Sequence, residues 1–119
     1  MIRNNKAAAL NVLGRYSESI MVLEGCLKHR EKDYLFKNLG DAYFSISIYD
    51  KAIYNYEKSL KMNDSYDEAH YNMSVCLYMQ ENYYNAKLAI QKALEMQPNN
   101  ETYKELQVNI ETRIDNYST

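Results

Sequence analysis

Laid against itself at an offset of 34, the chain pairs Leu39, Gly40, Tyr43, Tyr49, Ala52, Tyr56 and Leu60 with Met73, Ser74, Leu77, Tyr83, Ala86, Ile90 and Leu94, and size and polarity agree at nearly every place. A period this long marks a supersecondary unit used more than once, because each copy buries its apolar face only against a neighbour. At an offset of 33 the pattern extends upstream, where Ala7, Leu10, Gly14, Tyr16, Ser19, Leu23 and Leu27 meet Gly40, Tyr43, Ser47, Tyr49, Ala52, Tyr56 and Leu60. The span from Ala7 to Leu27 equals that from Gly40 to Leu60, so the missing residue belongs to the connection near KHREKD, where a loop absorbs it.

Each copy is helical by composition and spacing. Only three glycines and one proline punctuate 119 residues, while Ala, Leu, Lys, Glu, Met and Gln are common, which favours long helices over strands. The spacing predicts helices over 2–13, 16–29, 34–46, 49–62, 67–80, 83–96 and 101–115. A glycine within a helix costs about 1 kcal/mol against alanine, so Gly40 needs a reason. Gly40, Ala52, Ser74 and Ala86 are the small residues that let crossing helices approach to about 8–10 Å. Tyr43, Tyr56, Leu60, Leu77, Ile90 and Leu94 are the large ones that fill the space between neighbours. Ser65 with Glu68 forms a candidate capping box, and Ser47 with Asp50 a weaker variant.

Several function classes lose support. With 46% apolar residues the chain can build a core, but its net charge of −2 and pI of about 5.7 leave no basic footprint for nucleic acid or an anionic membrane. No apolar run approaches the roughly 20 residues needed to span a bilayer, and MIRNNKAAALNVLG lacks the apolar centre of a secretory signal. A cytoplasmic location is expected. Cys26 and Cys76 belong to no C-x-x-C pair, so reduced thiols are expected rather than a disulfide or zinc site. His29 lies near a predicted helix C-terminus and His70 at a packing position, and no constellation of nucleophile, base or metal ligands assembles. No enzyme activity, metal or cofactor is expected.

Residues 33–100 resemble the tetratricopeptide repeat (TPR) pattern, W-x2-L-G-x2-Y, A-x3-F and P on a period of 34. Phe36 holds the place of the usual tryptophan, Gly40 that of the glycine, and Ala52 and Tyr56 stand at the alanine and aromatic positions. In the looser next copy His70, Ser74 and Ile90 replace the tryptophan, glycine and aromatic, whereas Ala86, Ala93 and Pro98 are kept. The resemblance implies an all-α fold, a right-handed α-α superhelix of three antiparallel helix pairs and one capping helix. It divides a single domain into a divergent repeat 1 over 1–32, repeat 2 over 33–66, repeat 3 over 67–100 and a capping helix over 101–116. In that last segment Tyr103, Leu106, Ile110, Ile114 and Tyr117 form one apolar stripe backed by Glu105, Gln107, Glu111 and Arg113, as suits a helix closing the end of a stack. The N-terminal end carries no comparable cap, and in the competing, self-assembling reading it is the expected surface for self-association.

TPR arrays bind extended peptides or partner helices along the face made by the first helix of each pair, and the resemblance implies that use here. The expected face comprises Tyr34, Lys37, Asn38, Asp41, Phe44 and Ser45 in repeat 2 and Glu68, Tyr71, Asn72, Val75, Tyr78 and Met79 in repeat 3. An asparagine stands two residues before each small crossing residue: Asn5 before Ala7, Asn38 before Gly40, and Asn72 before Ser74. A row of amides can donate and accept at once, which suits a peptide main chain of any sequence. The alternative is that an asparagine-rich chain places some on any solvated face, and that Tyr34, Phe44, Tyr71 and Tyr78 pack on one another rather than anchor a ligand. Relatives that grip a C-terminal carboxylate resemble one another in presenting lysines and an arginine here. This chain has Glu68 and Asn72 at two of those places and Asn4 and Ala8 at two others; only Asn38 agrees, so that subtype is disfavoured. The partner is thus expected to be a protein or peptide. The competing reading is a structural or self-assembling array, a fragment of a longer one or a homo-oligomer. A small secretion chaperone matches in repeat number but in no further signature.

Overall fold

The computed structural model describes residues 15–118, with side chains to 116. Among them are six helices: α1 (Tyr16–Leu27), α2 (Asp33–Ser45), α3 (Tyr49–Met62), α4 (Asp67–Met79), α5 (Tyr83–Met96) and α6 (Glu101–Ser118). The predicted helix 2–13, and with it Asn5, Asn4, Ala7, Ala8 and the uncapped N-terminal end, lies outside the described residues. The chain divides into two compact units, Met1–Asp64 and Ser65–Thr119.

In the first unit α2 and α3 form an antiparallel pair. Leu35, Phe36, Leu39, Ala42 and Tyr43 of α2 are buried with Ala52 and Tyr56 of α3, and α1 adds Leu23 and Ser19. Burying an aliphatic or aromatic side chain of this size contributes about 1.5–3 kcal/mol, so a few such residues decide the pairing. At Gly40 the pair crosses closely. The Tyr56 ring lies across it, and the Tyr56 hydroxyl donates to Asp41 Oδ1 at 2.6 Å.

The second unit repeats the arrangement with different chemistry. Ser74 replaces the glycine, Ile90 replaces the tyrosine, and the Ser74 hydroxyl donates to the Ala86 carbonyl at 2.7 Å. Tyr83, Ala86, Ile90 and Ala93 of α5 form a core with Tyr103, Leu106 and Ile110 of α6. Of the predicted α6 stripe, Tyr103, Leu106 and Ile110 are buried and Ile114 half-buried; Tyr117 lies beyond the described side chains. At the register of Gly40 and Ser74, α6 carries Val108, 59% exposed. At the register of Leu39 and Tyr43 it carries Gln107 and the exposed Glu111. The side of α6 that would meet a following helix is therefore polar or too bulky, which is the property of a capping helix.

The turns repeat as faithfully as the core. Ser47 and Glu81, 34 residues apart, both adopt a left-handed backbone with φ of 62°. Ser47 N–H donates to the Phe44 carbonyl and Ile48 N–H to that of Tyr43; Glu81 and Asn82 do the same to Tyr78 and Leu77. This is the Schellman arrangement, which satisfies the carbonyls left over at a helix end. Both expected capping boxes are displaced by it or by a shift of register. The N-cap residues are Ile48 and Tyr66, neither making a side-chain cap bond, so Ser47 and Ser65 each fall one residue too early. A side-chain cap does form at α6, where Asn100 Oδ1 accepts from the Tyr103 N–H at 3.1 Å. Helix α1 ends at Leu27, so His29 sits beyond it rather than in its last turn.

Candidate functional site

Far ends of each helix pair are clasped by an amide and a carboxylate at the repeat spacing. Asn63, which follows α3, donates through Nδ2 to Asp33 Oδ2 at 3.1 Å, and Gln97, which follows α5, donates through Nε2 to Asp67 Oδ2 at 2.6 Å. In both cases the carboxylate belongs to the first residue of the first helix, where the helix dipole favours negative charge. In the second unit Asp67 Oδ2 also accepts from the Tyr103 hydroxyl at 2.6 Å, and Asn100 Nδ2 donates to Gln97 Oε1 at 3.0 Å. The start of α4, the end of α5 and the start of α6 are thus held by one network. Burial, and then the bond to Asp67 with its charge, pushes the Tyr103 hydroxyl well above the ordinary tyrosine range.

On α2 the expected ligand-facing residues Tyr34, Lys37, Asn38, Asp41 and Phe44 are all half-buried, and Ser45 is exposed. All of them have contacts within the chain. Asp41 accepts the Tyr56 hydroxyl and lies 3.2 Å from Lys37 Nζ. The Ser45 hydroxyl donates to the Asp41 carbonyl at 2.9 Å, and the Phe44 ring lies 6.4 Å from that of Tyr49. On the opposite side Tyr43 is buried, with its hydroxyl donating to Glu24 Oε1 at 3.0 Å and Lys51 over its ring. Burial first, then the Glu24 bond and charge, raises the Tyr43 pKa.

On α4, Tyr71, Asn72, Val75 and Tyr78 are half-buried, while Glu68 and Met79 are exposed. Tyr71 stacks on Tyr103 with centroids 4.9 Å apart, and Tyr78 meets Tyr83 edge-on at 5.5 Å. Arg113 of α6 lies 5.9 Å from the Tyr78 centroid. Tyr71, Val75 and Tyr78 therefore pack against the second unit's core as well as presenting a surface. These contacts come from α5 and α6, which periodicity within α4 cannot reveal. Asn38 and Asn72 occupy the same register of α2 and α4, and each has an interaction within the chain. His70 is buried, 7% exposed, as a packing residue. Cys76 is fully buried and its thiol is pushed up to about 12 by that burial; Cys26 is half-buried, and both are free. Among the described residues no three His, Cys, Asp or Glu side chains gather as a metal site, and no helix is long and apolar enough to cross a membrane.

Residues 40–81 match the family model described as TPR repeat, and residues 67–100 match the one described as Tetratricopeptide repeat. This chain belongs to the tetratricopeptide repeat family. No curated protein matches it. Among solved structures, the first TPR of Spaghetti (RPAP3) bound to HSP90 peptide SRMEEVD superposes with a TM-score of 0.91 at 20% identity, over 96% of this chain and 91% of that one. The Sgt2 TPR domain from Aspergillus fumigatus gives 0.85 at 18% identity, over 98% and 79%. The Yersinia enterocolitica type III secretion chaperone SycD, in complex with a peptide of the translocator YopD, gives 0.76 at 20% identity, over 95% and 87%. At these identities the likeness establishes a TPR fold.

The amide and carboxylate clasp was missed in the sequence, although its signal was there: Asp33 and Asp67, like Asn63 and Gln97, are chemically matched at the repeat offset.

Proposed function

We propose that this TPR chain is a non-enzymatic binding module whose first helices hold an extended peptide or a helical segment of a partner protein. The observation that carries this is the recurrence, at one register of half-buried faces, of an amide followed by an aromatic: Asn38 and Phe44 on α2, and Asn72 and Tyr78 on α4, with Tyr34 and Tyr71 as further half-buried aromatics of the two helices. An amide satisfies both polar groups of a peptide unit, and a rigid aromatic beside it supplies the anchor that dominates most interfaces. Peptides held by the Spaghetti and SycD structures support the reading by analogy of fold.

The test is to pan a displayed library of random linear peptides against the protein, then compare binding with an Asn38→Ala, Asn72→Ala double variant. Circular dichroism and urea unfolding establish that the variant folds, since both amides also interact within the chain. Enriched peptides are expected to lose at least roughly tenfold in affinity, equivalent to about 1.4 kcal/mol. Failure to enrich any peptide, or undiminished binding by the folded variant, rejects the reading.

A second reading, homotypic assembly, is favoured by Met21, Tyr54 and Leu88. They share one register of α1, α3 and α5 and are 75%, 58% and 62% exposed. Sedimentation at rising concentration tests it: a species that stays monomeric throughout rejects assembly.

A further inference from the structure

We infer that the segment held by the first helices carries net positive charge and is gripped along its length rather than by a carboxylate end; this rests on the peptide-binding reading above. Charge is distributed unevenly along the chain. Ser65–Thr119 contains eight Asp and Glu against four Lys and Arg, a formal −4, whereas Met1–Asp64 contains eight against ten, a formal +2. The helix bearing the second set of candidate residues, Asp67–Met79, has two carboxylates and neither lysine nor arginine.

The cations that do reach these faces are already placed. Lys37 lies 3.2 Å from Asp41, and Arg113 spreads over the Tyr78 ring. A peptide carboxylate taken out of water needs charged donors within hydrogen-bond reach, and α4 supplies none. An ammonium or guanidinium meets the opposite situation: exposed Glu68 three residues before half-buried Tyr71, whose ring stacks on Tyr103, and the general attraction of aromatic faces for cations. The negative field of the second unit adds steering for a basic segment and repels an acidic one.

The experiment scores net charge in the peptides enriched by panning. It then measures, by fluorescence anisotropy at low and high salt, an enriched peptide and the acidic heptamer SRMEEVD on wild type and on Glu68→Lys. The enriched set is expected to be net positive, and SRMEEVD to bind wild type at least roughly tenfold more weakly than the enriched peptide. Glu68→Lys, shown to fold by circular dichroism and urea unfolding because Glu68 also interacts within the chain, should weaken the basic peptide several-fold, with a smaller effect at high salt; undiminished binding by the folded variant overturns the charge selection. A neutral or acidic enriched set, or SRMEEVD binding as tightly, overturns the charge selection while leaving peptide binding intact. No enrichment at all rejects peptide binding itself, and this inference with it.

Discussion

Tyr56 lies so closely across Gly40 that a Cβ built on the glycine would stand 2.7 Å from Tyr56 Cε1 and 2.8 Å from Cδ1. The ring cannot swing aside cheaply, because it is fully buried and its hydroxyl is fixed on Asp41. Overpacking a core costs about 1–3 kcal/mol, and alanine regains about 1 kcal/mol of helix propensity. Gly40→Ala should therefore destabilise the protein by up to about 2 kcal/mol in urea unfolding. Gly40→Ser combined with Tyr56→Ile reproduces the second unit's Ser74 and Ile90 pairing. Its cost should be smaller than the sum of the single changes, and a double-mutant cycle measures the difference.

Asp67 is the acceptor for both Gln97 and Tyr103, so its removal leaves a buried phenol without its acceptor. A hydrogen bond to a charged group contributes about 1.5–3 kcal/mol. Asp67→Ala should lower stability by about that amount, and amide hydrogen exchange should quicken first in α6. Equal quickening throughout the second unit would show that α6 does not depend on this network.

Two tyrosines make the protein sensitive to alkali. For Tyr43 and Tyr103 the folded-state pKa is raised above the unfolded value of about 10. Their contribution is fully present below pH 10 and is lost as pH rises above it, because the unfolded chain gives up those protons first. Unfolding free energy should fall above pH 10. Tyr103→Phe, less stable at neutral pH, should show a shallower alkaline decline; an unchanged slope would locate the sensitivity elsewhere.

At Ser47 and Glu81 the left-handed backbone costs a non-glycine residue about 1–2 kcal/mol, partly offset in glycine by the greater entropy of its unfolded chain. Ser47→Gly and Glu81→Gly should each stabilise by up to about 1 kcal/mol, and Ser47→Val should destabilise. Thermal melts with matched urea titrations decide the sign.

What could be read in advance follows from which forces act locally. The spans 49–62 and 83–96 emerge as predicted because Tyr49, Ala52, Tyr56 and Leu60, and their counterparts 34 residues on, set the helical period and the pairing surface together. Buried Gly40, Ala52, Ser74 and Ala86 bear out the crossing positions. Helix ends were less legible, since neither Ser47 nor Glu81 announces a left-handed turn as glycine would. The Ser65 and Glu68 pattern, sound as a capping motif, lies one residue out of register with the helix that follows. The candidate ligand face was the least legible part. Tyr71 takes its ring partner from α6 and Tyr78 its partners from α5 and α6, and Asp41 is drawn to Tyr56 by a contact between helices rather than along one.

Val108 has a further consequence for engineering. Duplicating a block of 34 residues is the simplest way to lengthen a chain of this kind, yet a new helix laid on α6 would meet a branched side chain where α2 offers hydrogen and α4 a hydroxymethyl group. A designer extending the stack would begin with small residues at 108 and apolar ones at 107 and 111, in place of Gln107 and Glu111. The length of the stack would then be under the control of three side chains on one helix.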